Sequence, residues 1–227
     1  MIGKVPSVWR RTKIAACVGA LLLAAAVDVR AADSETREFT VRVDNKPAGN
    51  AKMIIQKQDD GTTVVSCETS VKVRVLIKTY SYVCQTRETW KDGRLQQLSG
   101  SCNDDGKQFQ VRAEAQADGI HVRVNGREHL SKSEAWVSSY WMLPDAKQRE
   151  GVIPVIDADN GRDMQGRLQF IGQAQIGVAG HMQNVMHFRF NGPTKIELYY
   201  DATQRLVRQE WVEDGHPTVL ELVRITK

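Results

Sequence analysis

Tyr80-Ser-Tyr82-Val-Cys84-Gln-Thr-Arg-Glu88-Thr-Trp90-Lys-Asp92-Gly93-Arg-Leu95, followed by Asp105-Gly106, reads as strand, tight turn, strand, tight turn. Tyr80, Tyr82, Cys84 and Trp90 occupy even positions, so they share one face of a pleated strand. Asp92-Gly93 supplies the two positive φ angles that a two-residue hairpin turn requires. This stretch decides architecture and carries no chemistry of its own.

The same grammar runs outward in both directions. Asx-Gly dipeptides recur at Asp60-Gly61, Asp118-Gly119, Asn125-Gly126, Asn160-Gly161, Asn191-Gly192 and Asp214-Gly215. Between them apolar and polar residues alternate, as in Phe39, Val41 and Val43, in Phe109, Val111 and Ala113, and in Ile196, Leu198 and Tyr200. Period-2 alternation with one polar face belongs to antiparallel sheets, because parallel strands covered on both sides read as continuous apolar runs. The expected fold is therefore mainly all-β: a large curled antiparallel meander of about ten strands joined to their sequence neighbours, closing into a half-barrel or open barrel. Ser133 to Gly151 breaks the alternation. It holds Trp136, Tyr140, Trp141, Leu143 and Pro144 and ends in the helix-compatible run Asp145 to Glu150. It reads as a short helix or aromatic crossover over one mouth of the curl.

Residues 1 to 31 have the three parts of a cleaved secretory signal: Lys4, Arg10, Arg11 and Lys13, an apolar run from Ile14 to Val27, then Val29-Arg30-Ala31. That run is shorter than the roughly 20 residues a spanning helix needs. Without Lys4, Arg10, Arg11, Lys13, Arg30 and Asp28, the 31 basic and 27 acidic residues become 26 of each. A neutral mature chain lacks the field of a nucleic-acid binder, so no nucleic-acid partner is expected. Residues 32 to 227 read as one domain, with no further apolar run of bilayer length. The leader implies a periplasmic or secreted location.

Of the cysteines beyond the leader, Cys84 and Cys102 can meet across the Asp92-Gly93 turn if one bulged residue intervenes. Cys67 with Cys84, or three free thiols, are the alternatives, and an oxidising compartment favours a bond. No C-x-x-C occurs, and no histidine falls in H-x-H or H-E-x-x-H, so neither a metal site nor a cofactor is expected. Asp157-Ala-Asp159-Asn-Gly161 resembles a calcium loop only loosely, with its glycine one position early and no closing glutamate. No G-x-S-x-G is present. Glu88 and Glu210, each near a Trp, could form a glycosidase-type carboxylate pair, but cross-strand ion pairing explains both more simply. The surplus aromatics remain: Tyr80, Tyr82, Trp90, Trp136, Tyr140, Trp141 and Tyr200 are the candidate ligand-binding residues of a curled sheet with an apolar cavity.

In their order these features resemble a family of exported bacterial domains of unknown function: Y-x-Y at Tyr80 to Tyr82, E-x-W-x-x-G-x-L at Glu88 to Leu95, D-D-G at Asp104 to Gly106, Y-W at Tyr140-Trp141, and Y-D-x-x-x-R-L at Tyr200 to Leu206. That family is distantly similar to the half-barrel of periplasmic lipoprotein carriers. The resemblance implies a periplasmic β-sheet protein and transfers no catalytic residue. The first expectation for function is a non-enzymatic envelope protein that binds a lipid, acyl chain or other apolar ligand inside the curled sheet. A module recognising an envelope protein through an exposed sheet edge is the second, and a hydrolase whose site is hidden in sequence order is the third.

Overall fold

The computed structural model describes residues 33–75 and 78–227; the expected leader lies outside them. Among the described residues the chain forms fifteen strands in one sheet and a single 3-10 turn. From Asp33 the first eight form a continuous meander: β1 (Asp33–Val43), β2 (Lys46–Lys57), β3 (Thr62–Val75), β4 (Lys78–Lys91), β5 (Arg94–Asp104), β6 (Lys107–Gln116), β7 (Gly119–Val124) and β8 (Arg127–Ser131). The second series comprises β9 (Trp136–Val137), β10 (Ile153–Ile156), β11 (Asp163–Val178), β12 (His181–Asn191), β13 (Lys195–Tyr200), β14 (Leu206–Glu213) and β15 (His216–Thr226). It returns to pair β15 with β1, so the order is β8 to β1, then β15 down to β9.

That order dictates the shape. β8 and β9 are the two ends of the ladder, yet only residues 132–135 join them. Five backbone steps reach at most roughly 19 Å, so the sheet must bend round until its ends nearly meet. His129 of β8 lies 3.7 Å from Asp163 of β11 across this seam. The curled antiparallel meander is thus present, with fifteen strands instead of about ten. Part of the shortfall is β9 and β10, which are buried, do not alternate and pair in parallel (Val155 with Trp136, Ile156 with Val137).

Tight turns follow the expected chemistry. Asp92-Gly93, Asp105-Gly106, Asn125-Gly126 and Asp214-Gly215 all have two successive positive φ values, the turn whose twist matches its flanking strands. Asp44-Asn45 and Ala179-Gly180 do the same without an Asx-Gly signature.

The Ser133 to Gly151 crossover does more than cover a mouth. Its helical part is one 3-10 turn, Gln148–Glu150, started by the Asp145 carboxylate accepting the Gln148 N–H at 3.0 Å. The remainder, continuing through β10 to Gly161, runs inside the curl as a plug. Trp141 meets Trp90 near the end of β4 at 6.2 Å between rings, whereas Asp159 meets Tyr82 near its beginning. Eight residues of strand separate Tyr82 from Trp90, roughly 27 Å, so the plug spans most of the interior. Its Val137, Tyr140, Ile153, Val155 and Ile156 pack with Phe39, Leu98, Val111, Phe190, Leu198 and Leu206 of the wall into one core.

Candidate functional site

The concave face is therefore filled by the protein's own side chains, and an apolar cavity inside the curled sheet is not what the aromatics build. Trp136 stands 4.7 Å from the Tyr140 ring and 6.4 Å from Phe190, edge to face in both cases. Such pairs add to burial in the core. The Tyr200 hydroxyl donates to the Tyr140 carbonyl at 2.9 Å, and both residues are almost fully buried. Tyr140 holds φ +48°, which lets it and Trp141 both turn inward although they are consecutive. Buried Arg37 anchors this corner, donating to the Trp141 carbonyl at 2.9 Å and to Glu35 at 2.7 Å.

The seven sequence-predicted residues do not converge. Tyr80 is exposed and its hydroxyl donates to Asp104 at 2.8 Å, while the half-buried Tyr82 donates to Asp159 Oδ2 at 2.6 Å. Both lie at the mouth opposite Trp90. Tyr140 and Tyr200 are core, whereas Trp90 and Trp136 line a surface cleft.

Cys84 and Cys102 sit directly opposite one another and are bonded, with the ladder shifted by one residue between Thr89 and Trp90. This is the bulge that the spacing required. Cys67 faces Thr86 in the register, not Cys84, and its thiol is free. Asp159 Oδ1 lies 3.5 Å from Cys84 Sγ. Burial first, and then the neighbouring Asp157 charge, hold the Asp159 carboxyl above its ordinary range. Asp157 is saturated as a turn former: Oδ1 accepts the Asp159 N–H and Oδ2 the Asn160 side-chain N–H. Glu88 and Glu210 are not brought together, since Glu210 pairs with Arg208 at 2.5 Å while Glu88 accepts the Trp90 indole N–H at 2.7 Å.

A ligand-sized space, a cleft of about 420 Å³, lies at the Trp90 mouth. The β4–β5 turn contributes Trp90, Asp92 and Arg94; the seam contributes Glu134 and Trp136; the crossover contributes Met142, Leu143, Pro144 and Arg149. Its volume is that of a small-molecule site, and its walls mix aromatic and aliphatic side chains with polar ones, among them Gln148 and Gln204. Two of the lining residues also hold a donor that is sealed from solvent and has no protein partner, Trp136 Nε1 and Arg149 Nε. An outer-surface groove of similar volume, between Lys52, Glu68, Val83 and Gln85, has no such orphaned donor. Arg149 escapes sequence reading because it sits in a polar run, and only the fold shows that its guanidinium is half-buried against the Phe188 ring, 5.9 Å from its centroid.

Residues 39–223 match the model of a family described as Domain of unknown function (DUF6134). No curated protein matches this chain. Among solved structures it is similar to the crystal structure of a beta-barrel-like protein of domain of unknown function DUF1849 from Brucella abortus, at 12% identity and TM-score 0.63, covering 85% of this chain and 95% of that one. At that identity the likeness shows the fold alone, a β-barrel-like sheet. No helix among the described residues is long and apolar enough to cross a membrane.

Proposed function

The chain belongs to the DUF6134 family of domains of unknown function, and we propose that it is an exported, non-enzymatic protein that binds a small amphipathic ligand in the cleft at the Trp90 mouth. The observation that carries this reading is the cleft itself, where Trp90, Trp136, Leu143 and Pro144 supply apolar wall beside polar Arg94, Gln148 and Gln204. The leader motif supports export. A non-enzymatic role is supported by position: Glu88 and Asp159, the two carboxyls raised to near neutrality, do not line the cleft. The interior ligand expected from the sequence is replaced by one at the surface of the plug. Native mass spectrometry of the mature protein from a periplasmic extract tests this. A discrete small mass that is displaced by added amphiphile and lost in a Leu143→Arg variant supports it; a clean apo mass, with no change in tryptophan fluorescence on titration with amphiphiles, overturns it.

One observation favours recognition through a sheet edge as a second reading. β10 covers β11 only from Asp163 to Gly166, so Arg167 to Val178 has no ladder strand on its outer side, and Phe170 and Ile171 are exposed there. Under that reading the mature protein associates in solution and Ile171→Lys abolishes association. A monomer before and after the change removes it.

A further inference from the structure

Cys84, Cys102 and Asp159 meet at the mouth opposite the Trp90 cleft, and their ligand atoms, two sulfurs and a carboxylate oxygen, all lie within 4.8 Å of one another. Three elements deliver them: β4 and β5 hold the cysteines at directly opposed positions, and the plug's Asp157 to Gly161 turn holds the acid. Both cysteines are buried and Asp159 is half-buried, so the acid is the side of the triad nearer to solvent. It is aimed as well as near. Asp157 Oδ1 accepts the Asp159 N–H at 3.0 Å, and the Tyr82 hydroxyl donates to Asp159 Oδ2 at 2.6 Å, which leaves Oδ1 facing Cys84 Sγ at 3.5 Å. A disulfide sulfur carries no proton, so in the bonded state that oxygen receives no hydrogen from it. The surrounding charge does not answer it either. Asp157, Asp104 and Glu213 add further negative charge around Asp159, and none of the four forms an ion pair among the described residues.

We propose that, once the disulfide is reduced, Cys84 Sγ, Cys102 Sγ and Asp159 Oδ1 form a three-ligand site for zinc, a divalent cation that accepts thiolate and carboxylate together. The distances suit it. Zinc bonds of about 2.3 Å to sulfur and about 2.1 Å to oxygen, spread at a tetrahedral angle, place the sulfur and the oxygen about 3.6 Å apart. The separation of 3.5 Å between Cys84 Sγ and Asp159 Oδ1 is already that edge. The two sulfurs must part to about 3.8 Å, and side chains at directly opposed strand positions, with Cβ atoms roughly 4.5 to 5.5 Å apart, reach that by rotation about χ1. The fourth position is left for water, and the Tyr82 hydroxyl on the other carboxylate oxygen orients the ligand, as partners of metal ligands do. The opening step balances: an external dithiol is oxidised to its disulfide, and the bond between Cys84 and Cys102 takes up the two electrons and two protons. Zinc then displaces both thiol protons to solvent. Disulfide and metal are thus alternative states of one cysteine pair.

The test uses the mature protein, oxidised and after reduction with a phosphine that is then removed, titrated with zinc against a chromogenic chelator and with cobalt as a spectroscopic stand-in. The reduced protein is expected to take up one zinc and the oxidised protein none. Cobalt on the reduced protein should show thiolate-to-metal charge transfer and the visible bands of a four-coordinate site. Asp159→Asn, which keeps both cysteines, is expected to weaken zinc binding about tenfold or more. Cys67→Ser, which removes the free thiol on β3, should leave it unchanged. Equal uptake by the oxidised and reduced proteins, or uptake by neither, overturns the site. So does a cobalt spectrum without charge transfer, or zinc binding that is unchanged in Asp159→Asn or lost in Cys67→Ser. Near-ultraviolet circular dichroism follows the fold throughout, and a reduced protein that loses its tertiary signal and does not regain it with zinc overturns the proposal as well. The comparison of oxidised with reduced wild type, together with the cobalt spectrum, decides even where a variant fails to fold.

Discussion

Glu88 is a carboxyl placed where its charge is poorly served. It is fully buried on β4, Oε2 accepts the Trp90 N–H, and Oε1 has no hydrogen-bond partner. Burial pushes its pKa from 4.5 up to about 7, and the Ser139 hydroxyl and Trp90 indole pull back only in part. The folded state thus favours the protonated acid. Its contribution to stability is complete below pH 4.5 and lost as the pH rises through 7, amounting to about 3 kcal/mol over that window. Glu88→Gln keeps the shape and removes the titration. Subtracting wild-type from variant unfolding free energies, measured by urea from pH 4 to 8, should give a difference that grows in the variant's favour between pH 4.5 and 7. The subtraction is needed because Glu35, Glu197 and Asp201, whose pKa values are lowered by their arginine partners and hydrogen bonds, act in the opposite sense at lower pH. A flat difference across the window would show that Glu88 is ionised and solvated in the native protein.

The plug is the element that separates this fold from a plain curled sheet, and two glycines show how closely it sits against the wall. A Cβ on Gly100 of β5 would lie 2.7 Å from the Ala158 carbonyl oxygen, and one on Gly161 would lie 2.4 Å from a Val124 methyl. Gly161 also has φ +71°, so a side chain there is strained as well as crowded. Gly126, at φ +85° with open space around it, carries the strain without the crowding. Gly161→Ala should therefore cost about 1 to 3 kcal/mol more than Gly126→Ala in chemical denaturation, the overpacking component alone. Equal losses would mean that the plug yields at this point. These contacts explain what the sequence could and could not show. The hairpins were legible because Asx-Gly turns and alternation are local signals, and the Cys84 to Cys102 register followed from counting round one turn. Trp136-Val137 and Ile153 to Ile156 were not, since a strand buried on both faces has no period to read. Of the site, Trp90 and Trp136 could be named as aromatics, but their cleft exists only because residues 132–135 bring opposite ends of the ladder together. Arg149 had no local signal at all.

At the scale of the molecule, the question is whether the plug and the curled sheet are one cooperative unit or a barrel with a movable insert. Wall and plug share a single core, Arg37 ties the plug to β1, and Tyr82 ties its far end to β4. Regions that open only with global unfolding are those with dense apolar contacts and buried backbone hydrogen bonds. Amides of Trp136, Val137, Ile153, Val155 and Ile156 are therefore expected to exchange with solvent at the protection of β4 and β5, whereas β8 and the outer edge of β11, with solvent on one side, exchange first. Native-state hydrogen exchange read by mass spectrometry resolves these segments. Protection of the plug equal to that of β4 and β5 means that the interior stays closed and any ligand must use the mouth cleft. Exchange at least a hundredfold faster in the plug alone, a gap of about 3 kcal/mol in opening free energy, would mean that it swings out as a lid. The concave face, lined by Phe39, Leu98 and Phe190, would then become the ligand site, and Trp136 and Arg149 would be parts of its latch.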